Sequence, residues 1–171
     1  MKKFPQTRMR RNREQDFIRR LVKENTLSAD DLIYPMFLID GNDNATEIQS
    51  MPGIQRLSID LAVEEAKMLY NLGLPAVALF PNVAPSLRSL DGAEAYNPQG
   101  LIPLTVSAIK SVVPGLGIIT DAALDPYTTH GQDGILDITD YVSNDITIEA
   151  LCKQAIVCAQ AGADVIAPSD M

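Results

Sequence analysis

The sequence predicts an α/β fold built on a parallel sheet, because short apolar runs alternate with helical segments after a basic N-terminal arm. Each apolar run is continuous, which is typical of strands buried on both faces. Short connections lead into the strands, and two long ones leave them. The order is strand, helix, strand, helix, strand, helix, strand. It fits a doubly wound sheet or half of a TIM barrel, since four strands cannot close a barrel of eight.

Four strands and three helices are predicted in chain order. The strands cover 32–39, 75–81, 115–120 and 163–170, and the helices cover 58–73, 101–115 and 147–162. Ser58 and Thr147 stand where helix N-caps are expected, and Gly73 and Gly162 stand where the helices should stop. We divide the chain into an arm, residues 1–30, and a half barrel, residues 31–171.

The long connections, 40–57 and 121–146, follow the first and third strands. Parallel α/β proteins place their chemistry on such loops at the carboxyl ends of strands. Within the second loop, residues 135–145 are predicted to form a small hairpin. These loops are therefore the first place to look for a site.

The bulk composition is that of a chain with a real core: 46% of residues are hydrophobic and the mean hydropathy is +0.03. No apolar run is long enough to span a membrane, and no signal peptide is recognised. Cys152 and Cys158 fall on different faces of the last predicted helix, so no disulfide is expected. We therefore expect a cytoplasmic protein that binds no membrane.

Charge is distributed unevenly along the chain. Residues 1–25 carry nine Lys or Arg and three acidic residues, although the net charge of the whole chain is −8. Acidic and large apolar residues interrupt the basic ones, which disfavours binding of nucleic acid. We expect a cationic arm that docks on an acidic body, its own or that of a neighbouring subunit.

The stretch TDAALDPYTTHGQDG, residues 120–134, concentrates ionisable groups after the third strand. It contains Asp121, Asp125, Asp133 and the only histidine, His130. Asp-Pro and Asp-Gly pairs often serve only as turns, but a set of acids at a strand end favours a site for Mg²⁺, K⁺, Na⁺ or an ammonium group. A structural role for His130 fits as well as a catalytic one. Ser169 and Asp170 end the fourth strand and are expected at the same mouth.

Several kinds of site are not indicated. There is no glycine-rich phosphate-binding motif and no nucleophile elbow. Beyond the arm the lysines are Lys67, Lys110 and Lys153, and all three fall in predicted helices. The chain therefore offers no lysine at a strand end for Schiff-base chemistry.

Six segments, in this order, resemble the delta-aminolevulinic acid dehydratase family, also called porphobilinogen synthase. They are RMRRN, MPGIQRLS, ALFP, EAYNPQG, TDAALDPYTTHGQDG and APSDM. The resemblance implies a TIM barrel with an arm that wraps a neighbouring subunit, usually in an octamer. It implies condensation of two 5-aminolevulinate molecules to porphobilinogen in heme biosynthesis.

The resemblance also implies that only the first four βα units of the barrel are present. The two lysines that form Schiff bases in the family are expected beyond Met171, the last residue of this sequence. The resemblance therefore assigns no catalytic residue to this chain and implies that the chain alone is inactive.

The acidic stretch differs from that of some family members. Zinc-dependent members carry three cysteines where this chain has Ala123, Asp125 and Asp133. It therefore resembles the zinc-independent branch that responds to Mg²⁺ or K⁺, whose regulatory Mg²⁺ ligand lies in the later half. Asp125 and Asp133 are then expected to hold a substrate ammonium or an ion. Asp121 and Ser169 match residues that line the active site.

Two further functions remain open. A half barrel exposes sheet edges and apolar faces, so the chain can instead be a non-catalytic binding or assembly module that pairs with itself or with a complementary half. A weaker alternative is a metal-dependent hydrolase that uses the three aspartates and His130.

Overall fold

A computed structural model describes residues 3–8 and 10–169 as a six-stranded sheet with helices packed against it. The strands are β1 (Ile33–Ile39), β2 (Ala45–Glu47), β3 (Gln55–Leu57), β4 (Ala76–Asn82), β5 (Gly117–Ala122) and β6 (Val165–Pro168). The helices are α1 (Arg11–Glu14), α2 (Asp16–Leu21), α3 (Ile59–Asn71), α4 (Leu101–Val112) and α5 (Asn144–Ala161). Within the described ranges, no helix is long and apolar enough to cross a membrane.

The order of the strands distinguishes between the two predicted architectures. Strands β1, β4, β5 and β6 are parallel neighbours in the order in which they occur in the chain. Side chains of α3, α4 and α5 join one hydrophobic core with a single face of these strands, as Ala66, Ile109 and Cys158 do with Leu79. A doubly wound sheet reverses its order and carries helices on both faces. The topology is therefore the singly wound type found in barrels.

All four predicted strands are present, but the sheet in the described residues contains two further strands that were not predicted. The predicted loop 40–57 contains β2 and β3. β3 pairs parallel to the end of β1 through Leu38 and Leu57, and β2 pairs antiparallel to β3. Both added strands are three residues long and have no fully buried residue, so they leave no apolar run in the sequence.

Two of the predicted helix starts differ in their hydrogen bonding. Ser58 precedes α3 as predicted, but its hydroxyl accepts the Asn44 N–H at 3.0 Å and donates to Asp60 instead of capping the helix. The N-cap predicted at Thr147 was wrong, because α5 begins at Asn144. The Thr147 hydroxyl lies inside the helix, where it donates to the Ser143 carbonyl and accepts the Ile135 N–H.

The hairpin predicted at 135–145 is present in minimal form: Leu136 and Val142 form an isolated antiparallel bridge, the Asp137 N–H donates to the Tyr141 carbonyl, and the Ser143 N–H donates to the Ile135 carbonyl. The turn between them is organised by Asp137, whose Oδ1 accepts the backbone N–H groups of Thr139 and Tyr141. The Thr139 hydroxyl donates to the same oxygen, and together with these two N–H groups it holds the pKa of Asp137 below its usual range.

We predicted that the strands would be buried on both faces of the sheet. They are buried on one face only. Side chains such as Val77 and Ile118 point toward the helices and are fully buried. On the opposite face the Phe37 and Phe80 rings lie 5.7 Å apart, and Ile33 and Val165 remain about half exposed. We call this second face the open face of the sheet.

The arm forms two short helices, α1 and α2, which contain no buried residue. Phe17 and Leu21 of α2 are largely exposed. The expected docking of the arm on an acidic body is not seen within the described part of this single chain and remains a prediction for a neighbouring subunit.

Candidate functional site

The carboxyl end of β5 carries the first residue of the predicted site, Asp121. The register pairs Leu79 of β4 with Thr120, and Asp121 with Ala167 of β6. Because side chains alternate along a strand, Asp121 lies on the open face, level with Phe80. Asp121 is half-buried there, while Thr120 on the other face is fully buried. The Asp121 carboxylate therefore lies at the carboxyl edge of the open face, which also carries the Phe37 and Phe80 rings.

The structure brings the charges of the three predicted aspartates together. Asp125 lies near Asp133 and Asp121. Although Asp125 is an exposed residue, the protein atoms around its carboxyl displace water and raise its pKa, and the negative charges of Asp133 and Asp121 raise it further. The mouth is thus a region of negative potential that favours a cation. We call these three residues the acidic mouth.

Both ring nitrogens of His130 face backbone groups. Its Nδ1 accepts the Gln132 N–H at 3.1 Å, and its Nε2 lies 3.2 Å from the Leu90 carbonyl oxygen. The second contact is a hydrogen bond in the tautomer that carries its proton on Nε2. Both ring nitrogens are engaged, and His130 ties the acidic loop to the loop that follows β4.

Further contacts hold this loop on its neighbour. Ser89 forms an isolated parallel bridge with Thr128, and the Thr128 hydroxyl donates to the Gln132 carbonyl at 3.0 Å. Tyr127 is buried beneath the loop, and burial raises the pKa of its hydroxyl. The acidic mouth therefore stands on an anchored loop. Sequence analysis did not single out these anchors, since Ser, Thr and Tyr in a loop carry no distinctive pattern.

Ser169 follows β6 directly and is exposed. Since Ala122 pairs with Pro168, Ser169 lies one residue further along the same edge of the sheet as Ala123. This position is at the carboxyl edge of the sheet, and a role for Ser169 in the site stays a prediction.

The end of the chain carries two further expectations. Asp170 was expected beside Ser169 at the mouth, and Met171 marked the point beyond which the two Schiff-base lysines were expected. Asp170 and Met171 both lie outside the described residues. The place of Asp170 and the position of the lysines beyond Met171 therefore stay predictions.

The donor set at the mouth suits a hydrated hard cation better than zinc. Among residues 3–8 and 10–169, no group of three or more His, Cys, Asp or Glu side chains is placed to hold a metal ion. Cys152 and Cys158 are free thiols on α5, one exposed and one buried in the core. Mg²⁺ keeps several waters and binds through one or two carboxylates, which Asp125 and Asp133 can supply.

Comparison with protein families assigns almost the whole chain. Residues 6–171 match the family described as delta-aminolevulinic acid dehydratase. A delta-aminolevulinic acid dehydratase of Bradyrhizobium diazoefficiens is 51% identical over 164 residues, which cover 96% of this chain and 46% of the relative. One from Synechocystis is 47% identical over 171 residues and is covered to 52%. The chain spans about half the length of the curated relatives that it matches.

A solved structure agrees with the fold. The Toxoplasma gondii delta-aminolevulinic acid dehydratase, crystallised with the reaction product porphobilinogen, superposes with a TM-score of 0.91 at 43% identity. The match covers 96% of this chain and 47% of that one. Agreement at this level extends to the arrangement of the strands and helices that position the acidic mouth.

Proposed function

The chain belongs to the delta-aminolevulinic acid dehydratase family, and we propose that it supplies the first four strands and the acidic mouth of a porphobilinogen synthase. The substrate would be 5-aminolevulinate, two molecules of which condense to porphobilinogen. The feature that supports the proposal is the position of Asp121 at the carboxyl end of β5, with Asp125 and Asp133 on the loop that follows, where barrel enzymes place their active sites.

In this proposal the acidic mouth receives the ammonium group of a substrate. Asp125 and Asp133 stand on the anchored loop, and Asp121 stands below them on the sheet. Their negative potential attracts a cationic amine and orients it over the Phe37 and Phe80 rings. Ser169 is placed to donate its hydroxyl to the same substrate.

We propose that the chain belongs to the zinc-independent branch. Within the described residues no cysteine or free imidazole lies at the mouth, since both nitrogens of His130 are engaged. Where Asp125 and Asp133 do not hold the substrate ammonium, they would instead hold Mg²⁺ or K⁺ through water, and such an ion would supply positive charge at the mouth. Loss of activity with a zinc chelator, and no response to Mg²⁺ or K⁺, would contradict this assignment.

The two lysines that form Schiff bases in the family would come from the half of the barrel that this chain does not match, beyond the position of Met171. Lys67, Lys110 and Lys153 lie in α3, α4 and α5, and none lies in a strand or in a loop at a carboxyl end of a strand. We therefore propose that these 171 residues alone do not turn over 5-aminolevulinate. The active form would be an oligomer, an octamer as in the family.

A second candidate function is that of a non-catalytic assembly module, and the open face of the sheet is compatible with it. Ile33 and Val165 leave the open face partly apolar and exposed. A face of this kind pairs with another protein surface. It serves the enzyme equally well, because closure of a barrel covers the same face.

The test is a hybrid enzyme. This chain replaces the matched region of the Bradyrhizobium diazoefficiens relative and is fused in frame to the remainder of that protein. We expect the hybrid to form porphobilinogen from 5-aminolevulinate, and the 171-residue chain alone to form none. The relative without its matched region is the control.

A hybrid that folds into the oligomer of the parent relative and yet forms no porphobilinogen would contradict the proposed enzyme and favour the assembly module. Turnover by the 171-residue chain alone would contradict the assignment of the lysines to the other half.

A further inference from the structure

The hydrogen-bond ladder between β4 and β5 ends one residue before Asp121, and a proline in β4 is the cause. Paired residues run from Ala76 with Gly117 to Leu79 with Thr120. In a parallel ladder with this register, the next bond runs from the N–H of residue 81 to the carbonyl oxygen of Asp121. Residue 81 is Pro81, which has no N–H. The Asp121 carbonyl therefore lacks its donor from β4.

A side chain from α5 takes the place of that donor. Nε2 of Gln154 donates to the Ala123 carbonyl oxygen at 3.1 Å and makes a longer contact of 3.5 Å with the Asp121 carbonyl oxygen. Both carbonyls point to the same side of the strand, because they are two residues apart. Gln154 is 2% exposed, so no solvent competes for these bonds.

The two carbonyls belong to the segment that leads into the acidic mouth. Ala123 lies midway between Asp121 and Asp125, and it is buried. One amide on α5 thus contacts both Asp121, near the end of β5, and Ala123, the first residue of the loop.

We propose that Gln154 is the residue that positions the acidic mouth, by donating to the Ala123 carbonyl and by contacting the Asp121 carbonyl, which Pro81 leaves without its ladder donor. The inference rests on the proposed function for its effect on substrate, but not for its effect on the loop. A buried side-chain amide that joins helix to strand end sets where Asp121 and Asp125 point, without touching substrate itself.

The variant that tests this is Gln154→Met, which keeps the volume and removes the donor. Gln160 is an exposed glutamine on the same helix, so Gln160→Met is the matched control. The first readout is amide hydrogen exchange in the 171-residue chain, followed by mass spectrometry of peptides across 121–128. The second is the pair of constants KM and kcat for 5-aminolevulinate in the hybrid enzyme.

A rescue variant separates positioning from general stability. Pro81→Ala restores an N–H that can donate to the Asp121 carbonyl. In the Gln154→Met background we expect it to recover part of the exchange protection across 121–128. By itself, in the otherwise unchanged chain, Pro81→Ala should have little effect on that segment.

We expect Gln154→Met to raise exchange at 121–128 more than elsewhere in the chain, and to raise KM at least about fivefold while kcat changes less. Unchanged exchange at 121–128, or a uniform rise that Pro81→Ala does not reverse, would overturn the proposal. The exchange readout needs no turnover. If the hybrid is inactive, it still decides the role of Gln154, and only the proposed function fails.

Discussion

Lys110 Nζ lies 2.6 Å from Asp164 Oδ2 and joins the end of α4 to the residue that enters β6. The same ammonium donates to the Leu116 carbonyl oxygen at 2.8 Å, and the same carboxylate accepts the Ile118 N–H at 2.7 Å. This pair therefore closes the amino-terminal edge of the sheet, opposite the acidic mouth. Lys110, one of the lysines that the site does not use, therefore has a structural role.

Replacing Lys110 should destabilise the fold. Lys110→Met removes the ion pair and the bond to Leu116, at a cost of about 1–2 kcal/mol in the free energy of unfolding. Asp164→Asn keeps an acceptor for the Ile118 N–H and should cost less. Urea unfolding at pH 7 measures both. Equal losses in the two variants would show that the bond to Leu116 contributes nothing.

The cost of Lys110→Met should depend on pH. Partial burial would raise the pKa of Asp164, but the Lys110 ammonium and the Ile118 N–H outweigh it and lower the pKa below its ordinary value of 3.8. A lowered folded-state pKa gives stability that is present above pH 3.8 and lost as the pH falls through the folded-state pKa. The difference between wild type and Lys110→Met should therefore shrink below about pH 4. A constant difference down to about pH 2 would contradict this.

Removing the charge of Asp125 should raise the free energy of unfolding, whereas replacing Lys110 should lower it. Burial and the charges of Asp133 and Asp121 raise the pKa of Asp125, so its ionised form is less favourable in the folded chain than in the unfolded one. Asp125→Asn should stabilise the chain at pH 7, by no more than about 0.5 kcal/mol because solvent screens this exposed position. The gain should vanish below pH 3.8, where Asp125 is protonated in both states.

Denaturant unfolding at pH 7 and pH 3 measures this difference. Glu149→Gln is the matched control, since Glu149 is an exposed acid on α5. Destabilisation by Asp125→Asn at pH 7 would mean that the carboxylate is held by a favourable partner and not by like charges.

Gly134 is required by packing and not by its backbone angles. A methyl group there would lie 2.5 Å from Val142 Cγ1 and 2.8 Å from Thr147 Oγ1. Gly134→Ala should cost about 1–3 kcal/mol, because the loop must move away from α5. Gly131 has a φ of +71° and open space around it, so Gly131→Asn is the control and should cost less. A thermal shift equal for the two variants would contradict the packing argument.

His130 should stabilise the loop and not act in proton transfer. His130→Ala removes the bonds to Gln132 and Leu90, at a cost of about 1 kcal/mol, and should speed amide exchange at Gln132. Thr129→Ala alters the neighbouring exposed side chain and is the control. Unchanged exchange at Gln132 in His130→Ala would show that the ring does not anchor the loop.

The central strands and helices were predictable from sequence because each is a long apolar or amphipathic segment between turn residues. The short strands β2 and β3 were not, since three residues with no fully buried side chain give no periodic signal. The start of α5 was missed because the Thr147 hydroxyl serves Ile135 and Ser143 inside the helix. Tertiary hydrogen bonds outweighed the local N-cap preference there.

At the site, the grouping of the three aspartates was predictable, because a strand end and one loop carry them all. The anchoring of His130 was not, since Leu90 is 40 residues away in the sequence. Gln154 was missed for the same reason. One signal was present in the sequence: Pro81, inside an apolar strand, marks a carbonyl that another donor must satisfy.

The central claim is that the acidic mouth binds substrate, and the steady-state kinetics of Asp125→Asn in the hybrid enzyme test it most directly. We expect kcat/KM for 5-aminolevulinate to fall by about 10- to 100-fold, and Glu149→Gln to leave it unchanged. A kcat/KM for Asp125→Asn within about twofold of the unsubstituted hybrid, with the same oligomer formed, would contradict the claim and leave the three aspartates as solvent-facing loop residues.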